Sequence, residues 1–122
     1  GGKNGNPELV ESALSEARFV REILVVPGFK KDSAGIVEET VRAIVLPAWD
    51  AIETHTNRSS ADLAAQPDVL KTLVWQSINE CQQKSRQLSS FEKISPAHLE
   101  IRIEEFEKTS TGKIKRQAYM NL

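Results

Sequence analysis

The chain has 122 residues and a formal net charge of −1, enough for one domain with a modest core and too balanced for general attraction to nucleic acid or an anionic membrane. Cys81 is the single cysteine, which excludes an intramolecular disulfide and leads us to expect a reducing, cytoplasmic setting. No apolar run approaches the roughly 18 residues of a membrane span, no signal peptide opens the chain, and the start GGKN, without methionine, reads as a piece of a longer polypeptide.

Gly1 to Gly5 holds three glycines around Lys3 and Asn4 and is expected to be flexible. Asn6 and Pro7 then form a helix start, because asparagine can accept a free backbone N–H and proline loses nothing at the first helical position. Glu8 and Glu11 suit the positive end of that helix, while Val10, Ala13, Leu14 and Ala17 form one apolar stripe. From Phe19 to Val26 the chain reads FVREILVV, and the unbroken apolar run Ile23 to Val26 predicts a strand covered on both faces, closed by Pro27 and Gly28. Lys30 to Gly35 is a polar turn. Thr40 to Leu46 is a second strand, stopped by Pro47 and expected to pair antiparallel with the first.

Trp49 and Ile52 belong to a short helix packed on the sheet, with the tryptophan serving burial. Thr54 to Gln66 is the least structured stretch, and His55 within it has no second ligand at metal-binding spacing. Pro67 opens the longest helix. Leu70, Val74, Ser77 or Ile78, Cys81 and Leu88 fall on one face, with Lys71, Gln82, Gln83 and Arg86 opposite, and Ser89, Ser90 and Phe91 end it. Cys81 is therefore expected to act as a small buried hydrophobe. After a turn at Ser95 and Pro96, His98 to Phe106 alternates, with Leu99, Ile101 and Ile103 on one face and Glu100, Arg102 and Glu104 on the other, as a half-buried strand does. The order helix, strand, strand, helix, strand, helix gives an α+β fold: a small, mainly antiparallel sheet of about three strands covered by helices.

The stretch with chemical content is Thr109 to Arg116, TSTGKIKR. Gly112 can take a positive φ, so a sharp turn there would push Lys113 out at its tip. Such a lysine is either part of a solvated basic turn or a point charge directed at an anion. It does not belong to a Walker loop, because Glu107 stands at the first glycine position and Ile114 follows the lysine.

Taken together, these segments resemble the small C-terminal domain of the adenylate-forming enzymes, which include acyl-CoA synthetases, peptide-synthetase adenylation domains and luciferase. GGKNGNPELVE is similar to the end of the family's G-x-x-I-x-P-x-E-I-E stretch at Gly2, Pro7 and Glu11, with Gly5 and Leu9 departing from it. TSTGKIKR matches the family's G-K-x-x-R loop at Gly112, Lys113 and Arg116, with Glu107 where the loop's upstream proline is usual. The segments VRAIVLPAWDAIETH and PDVLKTLVWQSINECQQKSRQLSSFEKI are similar to the long-chain fatty acyl-CoA ligase branch.

The resemblance implies that residues 1–122 are the lid domain of a larger enzyme that converts ATP, a fatty acid and CoA into acyl-CoA, AMP and diphosphate. Lys113 would be the adenylation lysine, with Thr111, Gly112 and Arg116 in the loop near the adenylate, while Gly1, Gly2, Lys3 and Asn4 would serve the thioester step. ATP and Mg2+ would be held mainly by the N-terminal domain of the larger enzyme, CoA would be a co-substrate, and any peripheral membrane association would come through that other part. The fragment alone would be inactive and would bind no metal and no nucleic acid. Two other outcomes stay open: transfer of the acyl group to a carrier protein, and a non-catalytic module using Lys113, Lys115, Arg116 and Tyr119 on an anionic partner. Glu100, Glu104, Glu105 and Glu107 upstream oppose the latter.

Overall fold

The computed structural model describes residues 6–120. The Asn6 side chain accepts from the backbone N–H groups of Glu8 (3.1 Å) and Leu9 (3.3 Å), and Pro7 opens α1, Pro7–Leu14. Val10 and Leu14 are buried on its inner face, whereas Ala17, expected on the same stripe, is buried in the turn that follows the helix.

The strands β1 (Val20–Lys31) and β2 (Val37–Pro47) form a long antiparallel hairpin. Its turn is closed by Asp32, whose carboxylate accepts from the N–H groups of Ala34 and Ile36, both at 2.9 Å. Pro27 and Gly28, expected to end the first strand, lie within it, opposite Val41 and Thr40. The reason is register. The sheet order β1-β2-β3 leaves one edge of β1 open, and Val25, two residues before Pro27, gives its N–H to a side chain instead of to β2. Pro27 has the same parity, so its missing N–H falls on the open edge and no ladder bond is lost.

After β2, α2 spans Trp49–Thr56 and packs on the sheet through buried Ile52 and partly buried Trp49. The stretch expected to lack structure holds a further short helix, α3 (Ser60–Ala64), capped by Ser59, whose hydroxyl accepts from Asp62 N–H at 3.1 Å. Leu63 on α3 is fully buried and gives it a reason to fold. His55 packs its ring against Phe19, 5.3 Å between centroids.

The long helix α4 runs Pro67–Lys84, shorter than expected, and Leu88 reaches the core from the loop beyond it. Gln82, placed on the polar side by the sequence, is 2% exposed. Its amide accepts from Ile94 N–H and donates to Ile94 C=O, both at 2.9 Å, as a neighbouring strand would. These two bonds pin the loop after α4 against the helix.

The third strand, β3, is only Leu99–Ile101, and it runs parallel to β2 across the helical crossover. Arg102 N–H to Val45 C=O (2.7 Å) is the last rung. Ile103, expected on the inner face, is 52% exposed because the chain leaves the sheet to cover its other side. There Phe106 and Tyr119 are buried against Leu24, Val26, Ile44 and Leu46, with Ile114 and Met120 partly buried. The final helix is a single 3₁₀ turn, Arg116–Tyr119. Helices α1, α3 and α4 cover the opposite face through Val10, Leu14, Leu63, Leu70, Val74 and Ile78. The fold is thus α+β with three strands, both sheet faces being covered as the unbroken apolar runs predict. Among the described residues no helix is long and apolar enough to cross a membrane.

Replacing Gln82 by leucine leaves the N–H and C=O of Ile94 buried and unpaired. Denaturant titration is expected to show a loss of about 2–6 kcal/mol, since each of the two unpaired buried groups costs about 1–3 kcal/mol. A loss below about 1 kcal/mol would mean that water replaces both bonds.

Acid stability has an identifiable contributor in Glu92, which is buried. Its carboxylate accepts from the Ser89 hydroxyl (2.6 Å), Ser89 N–H (3.2 Å) and Asn6 N–H (3.1 Å), tying the start of α1 to the loop after α4. The Ser89 hydroxyl, followed by the backbone donors, holds this carboxyl below its ordinary 4.5, against burial, which acts upward. A depressed folded value means that the stabilisation is complete above the ordinary value and is lost as pH falls through the folded one. Melting curves of Glu92→Gln between neutral and acid pH should therefore fall less steeply than those of the parent. Parallel curves would assign the acid limb to other groups.

Candidate functional site

The segment 107–115 folds back on itself as a small hairpin. Lys108 and Ile114 form a bridge across it, Thr109 N–H donates to Lys113 C=O at 2.7 Å, and Gly112 N–H donates to Thr109 C=O at 2.9 Å. Gly112 has φ +86, the left-handed conformation that its position in the sequence predicts. Thr109 is the organising residue of the turn, which the sequence reading did not single out. Its hydroxyl accepts from Lys113 N–H (3.2 Å) and meets the Thr111 hydroxyl (3.0 Å), side-chain bonding to nearby backbone that is typical of threonine in turns.

At the tip, Lys113 is exposed, and among the described residues it pairs with no carboxylate. Thr111 and Gly112 are exposed beside it. Arg116, expected in the same loop, sits at the base instead. Its guanidinium grips both Glu11 oxygens, at 2.7 and 3.0 Å, and donates to Val25 C=O at 2.9 Å. Glu11 in turn accepts from Val25 N–H at 2.8 Å. The hydrogen bonds to Glu11 push the guanidinium still further toward its charged form, against the opposing effect of burial. The base has two further anchors: Lys108 Nζ lies 2.9 Å from a Glu22 oxygen, and Glu107 N–H donates to the Tyr119 hydroxyl at 2.7 Å. Glu107 stands where the resemblance would put proline, and a proline could not make that bond.

The arrangement therefore presents one ammonium on an ordered turn rooted in the sheet. Of the residues considered for an anionic macromolecule, Tyr119 is buried and Arg116 is engaged, which leaves Lys113 and Lys115 exposed. Among the described residues no three His, Cys, Asp or Glu side chains gather as a metal site. Gly1, Gly2, Lys3 and Asn4, expected to serve a thioester step, lie outside the described residues.

A cleft of about 690 Å3 lies elsewhere, between α1 and α4, and includes Ala13, Glu16, Cys81 and Lys84. Cys81 is only partly buried there, contrary to expectation, and its thiol donates to Ala13 C=O at 3.1 Å. Burial first, then the Glu16 and Glu80 carboxylates, push the thiol up, with Lys84 opposing. It is thus a poor nucleophile near neutrality.

No protein-family model matches the sequence, and neither does any curated protein. Among solved structures, the fold is similar to the crystal structure of an acyl-CoA synthetase from Brucella canis, with TM-score 0.53 and 24% identity over 93% of this chain. The matched region is 16% of that protein's chain, so this chain spans about a sixth of its length. At that identity the likeness is one of fold.

Replacing Gly112 by alanine tests the turn. No heavy atom lies within 4 Å of the added Cβ, so the penalty comes from the backbone alone, about 1–2 kcal/mol. The denaturation midpoint should drop accordingly, and Gly112→Asn should cost less because asparagine tolerates the left-handed region better. Equal stability of all three proteins would show that the turn opens without affecting the core.

Proposed function

We propose that this chain is the lid domain of an adenylate-forming enzyme of the acyl-CoA synthetase type, and that Lys113 is the charge it brings to the adenylation step. The observation that carries the proposal is Lys113 itself: exposed, unpaired among the described residues, and held at the tip of a turn whose backbone is fixed by hydrogen bonds. The likeness in fold to part of an acyl-CoA synthetase supports it. So does the recurrence of the two family-like motifs at opposite ends of one small domain.

In this reading a fatty acid carboxylate and the α-phosphate of ATP, both anionic, must approach each other. Positive charge then matters more than a general base, and a compact ammonium on a flexible stem suits the task better than a planar guanidinium. Magnesium, held with ATP by the larger part of the enzyme, would supply the remaining charge. The reading extends to the long-chain branch on the similarity of the segments VRAIVLPAWDAIETH and PDVLKTLVWQSINECQQKSRQLSSFEKI alone. A second half-reaction would transfer the acyl group to CoA, with residues 1–4 near the thiol.

In the complete enzyme, Lys113→Ala is expected to lower adenylate formation by about 10²- to 10³-fold, the usual worth of one preorganised charge. Capture of a preformed acyl-adenylate by CoA should be largely spared. Pyrophosphate release and thioester formation, measured separately, distinguish the cases. Equal loss in both would make Lys113 a general binding or folding residue.

A further inference from the structure

Lys113 stands three residues before Arg116, and Arg116 is where the hairpin is fastened to the rest of the domain. The fastening is closed on all sides. Both Glu11 oxygens receive guanidinium N–H groups (2.7 and 3.0 Å), and the pair together satisfies the outward-facing N–H (2.8 Å) and C=O (2.9 Å) of Val25. Because the fork is bidentate and shares the backbone of a buried strand residue, it fixes direction as well as distance. The other two anchors, Lys108 to Glu22 and Glu107 to Tyr119, hold the opposite leg of the hairpin. The leg that runs from Lys113 to Arg116 is tied to that opposite leg by Thr109 N–H to Lys113 C=O (2.7 Å) and Lys115 N–H to Glu107 C=O (2.8 Å), and its own polar anchor to the rest of the domain is Arg116 on Glu11.

We infer that Glu11, on α1 and far from the lysine in sequence, is a positioning residue for Lys113, acting through Arg116. The inference rests on the proposed role of Lys113 in adenylation. Glu11 touches no reacting atom. It sets where the tip of the hairpin stands relative to the sheet, so that the backbone of Lys113 is brought to a fixed place from which the ammonium reaches the reactants. A misplacement of about 1 Å at a reacting centre can cost on the order of 10²-fold in rate. Loss of the fork would therefore appear as a fall in the adenylation rate constant, with little change in the KM for ATP.

Two measurements on Glu11→Gln and Arg116→Gln test this. The first needs no activity: 15N relaxation in the 122-residue chain at the amides of Gly112 and Lys113. Each variant should lower order there while leaving the amides of β2 unchanged, and the double variant should be no worse than either single one. The second uses the complete enzyme. Each variant should slow adenylation by up to about 10²-fold and spare acyl transfer from preformed adenylate, while Glu11→Asp should recover part of the loss.

Native loop order with native adenylation in folded Glu11→Gln overturns the inference, as does equal loss in both half-reactions, which marks a merely structural role. If Lys113→Ala itself leaves adenylation intact, the proposed function fails, and the relaxation data still decide whether Glu11 holds the loop. Should Glu11→Gln not fold, Arg116→Lys takes its place, since it keeps the charge and loses the fork. Native order and rate in that variant would equally refute the role.

Discussion

One edge of the sheet is closed by a carboxylate and a guanidinium where another fold would use a strand. Val25 sits on the open side of β1, and Glu11 and Arg116 complete its hydrogen bonds. An open strand edge invites pairing with other chains, and a charged plug is one of the ways proteins prevent it. Here the plug joins residues 105 apart in sequence, and so draws α1 and the C-terminal hairpin onto the same strand. It is part exposed, with Arg116 and Glu11 side chains 35% and 19% accessible, so its worth lies more in geometry than in Coulomb energy. Truncating either partner would also strand Val25's backbone groups, which couples the fate of the pair to the strand itself.

The two faces of the sheet are covered by different means. Helices cover one. On the other an irregular strap relies on two rings, Phe106 and Tyr119, packed edge to face at 5.2 Å. The Arg102 guanidinium lies over both, 5.5 and 5.0 Å from their centres. Its Nε is buried with no hydrogen-bond partner among the described residues, a cost of about 1–3 kcal/mol. Two cation–π contacts of about 0.5–2 kcal/mol each are of the size needed to offset it. The same strap carries the lysine hairpin, so the segment that completes the core also displays Lys113.

Much of this was legible in the sequence where local chemistry and burial agree. The Asn6 and Pro7 helix start, the apolar runs of β1 and β2, the antiparallel hairpin and the positive φ of Gly112 all follow from rules that act within a few residues. The misreadings share a cause: a distant partner changed what a residue could do. Pro27 reads as a strand end until the register puts it on the open edge. Gln82 reads as polar surface until Ile94 arrives to pair with it, although its place four residues after Ile78 set it on the inner face. The alternation of Leu99, Ile101 and Ile103 is a strand pattern, but beyond the Val45–Ile101 pair β2 offers only Leu46 and Pro47, and Pro47 has no N–H to continue the ladder, so the chain turns away to cover the sheet. At the site, Lys113 was found through the glycine before it, whereas Glu11 offered only a favourable place on a helix. Its pairing with Arg116 is a tertiary fact.

The division of stiffness within the hairpin bears on what it can do. Its base is fixed by a bidentate ion pair, a second ion pair and a buried hydroxyl, and its turn by Thr109, so the backbone of Lys113 has little freedom left to lose on binding. The side chain beyond Cβ is unconstrained and retains the roughly 2 kcal/mol of rotamer entropy of a free lysine. A fully ordered ammonium could meet only one arrangement of two incoming anions, and a fully disordered loop would lose the entropy of several residues to place one charge. A fixed backbone with a mobile tip confines the cost to one side chain, and in the proposed role it would let the charge follow the phosphate as the distance between the reactants shortens.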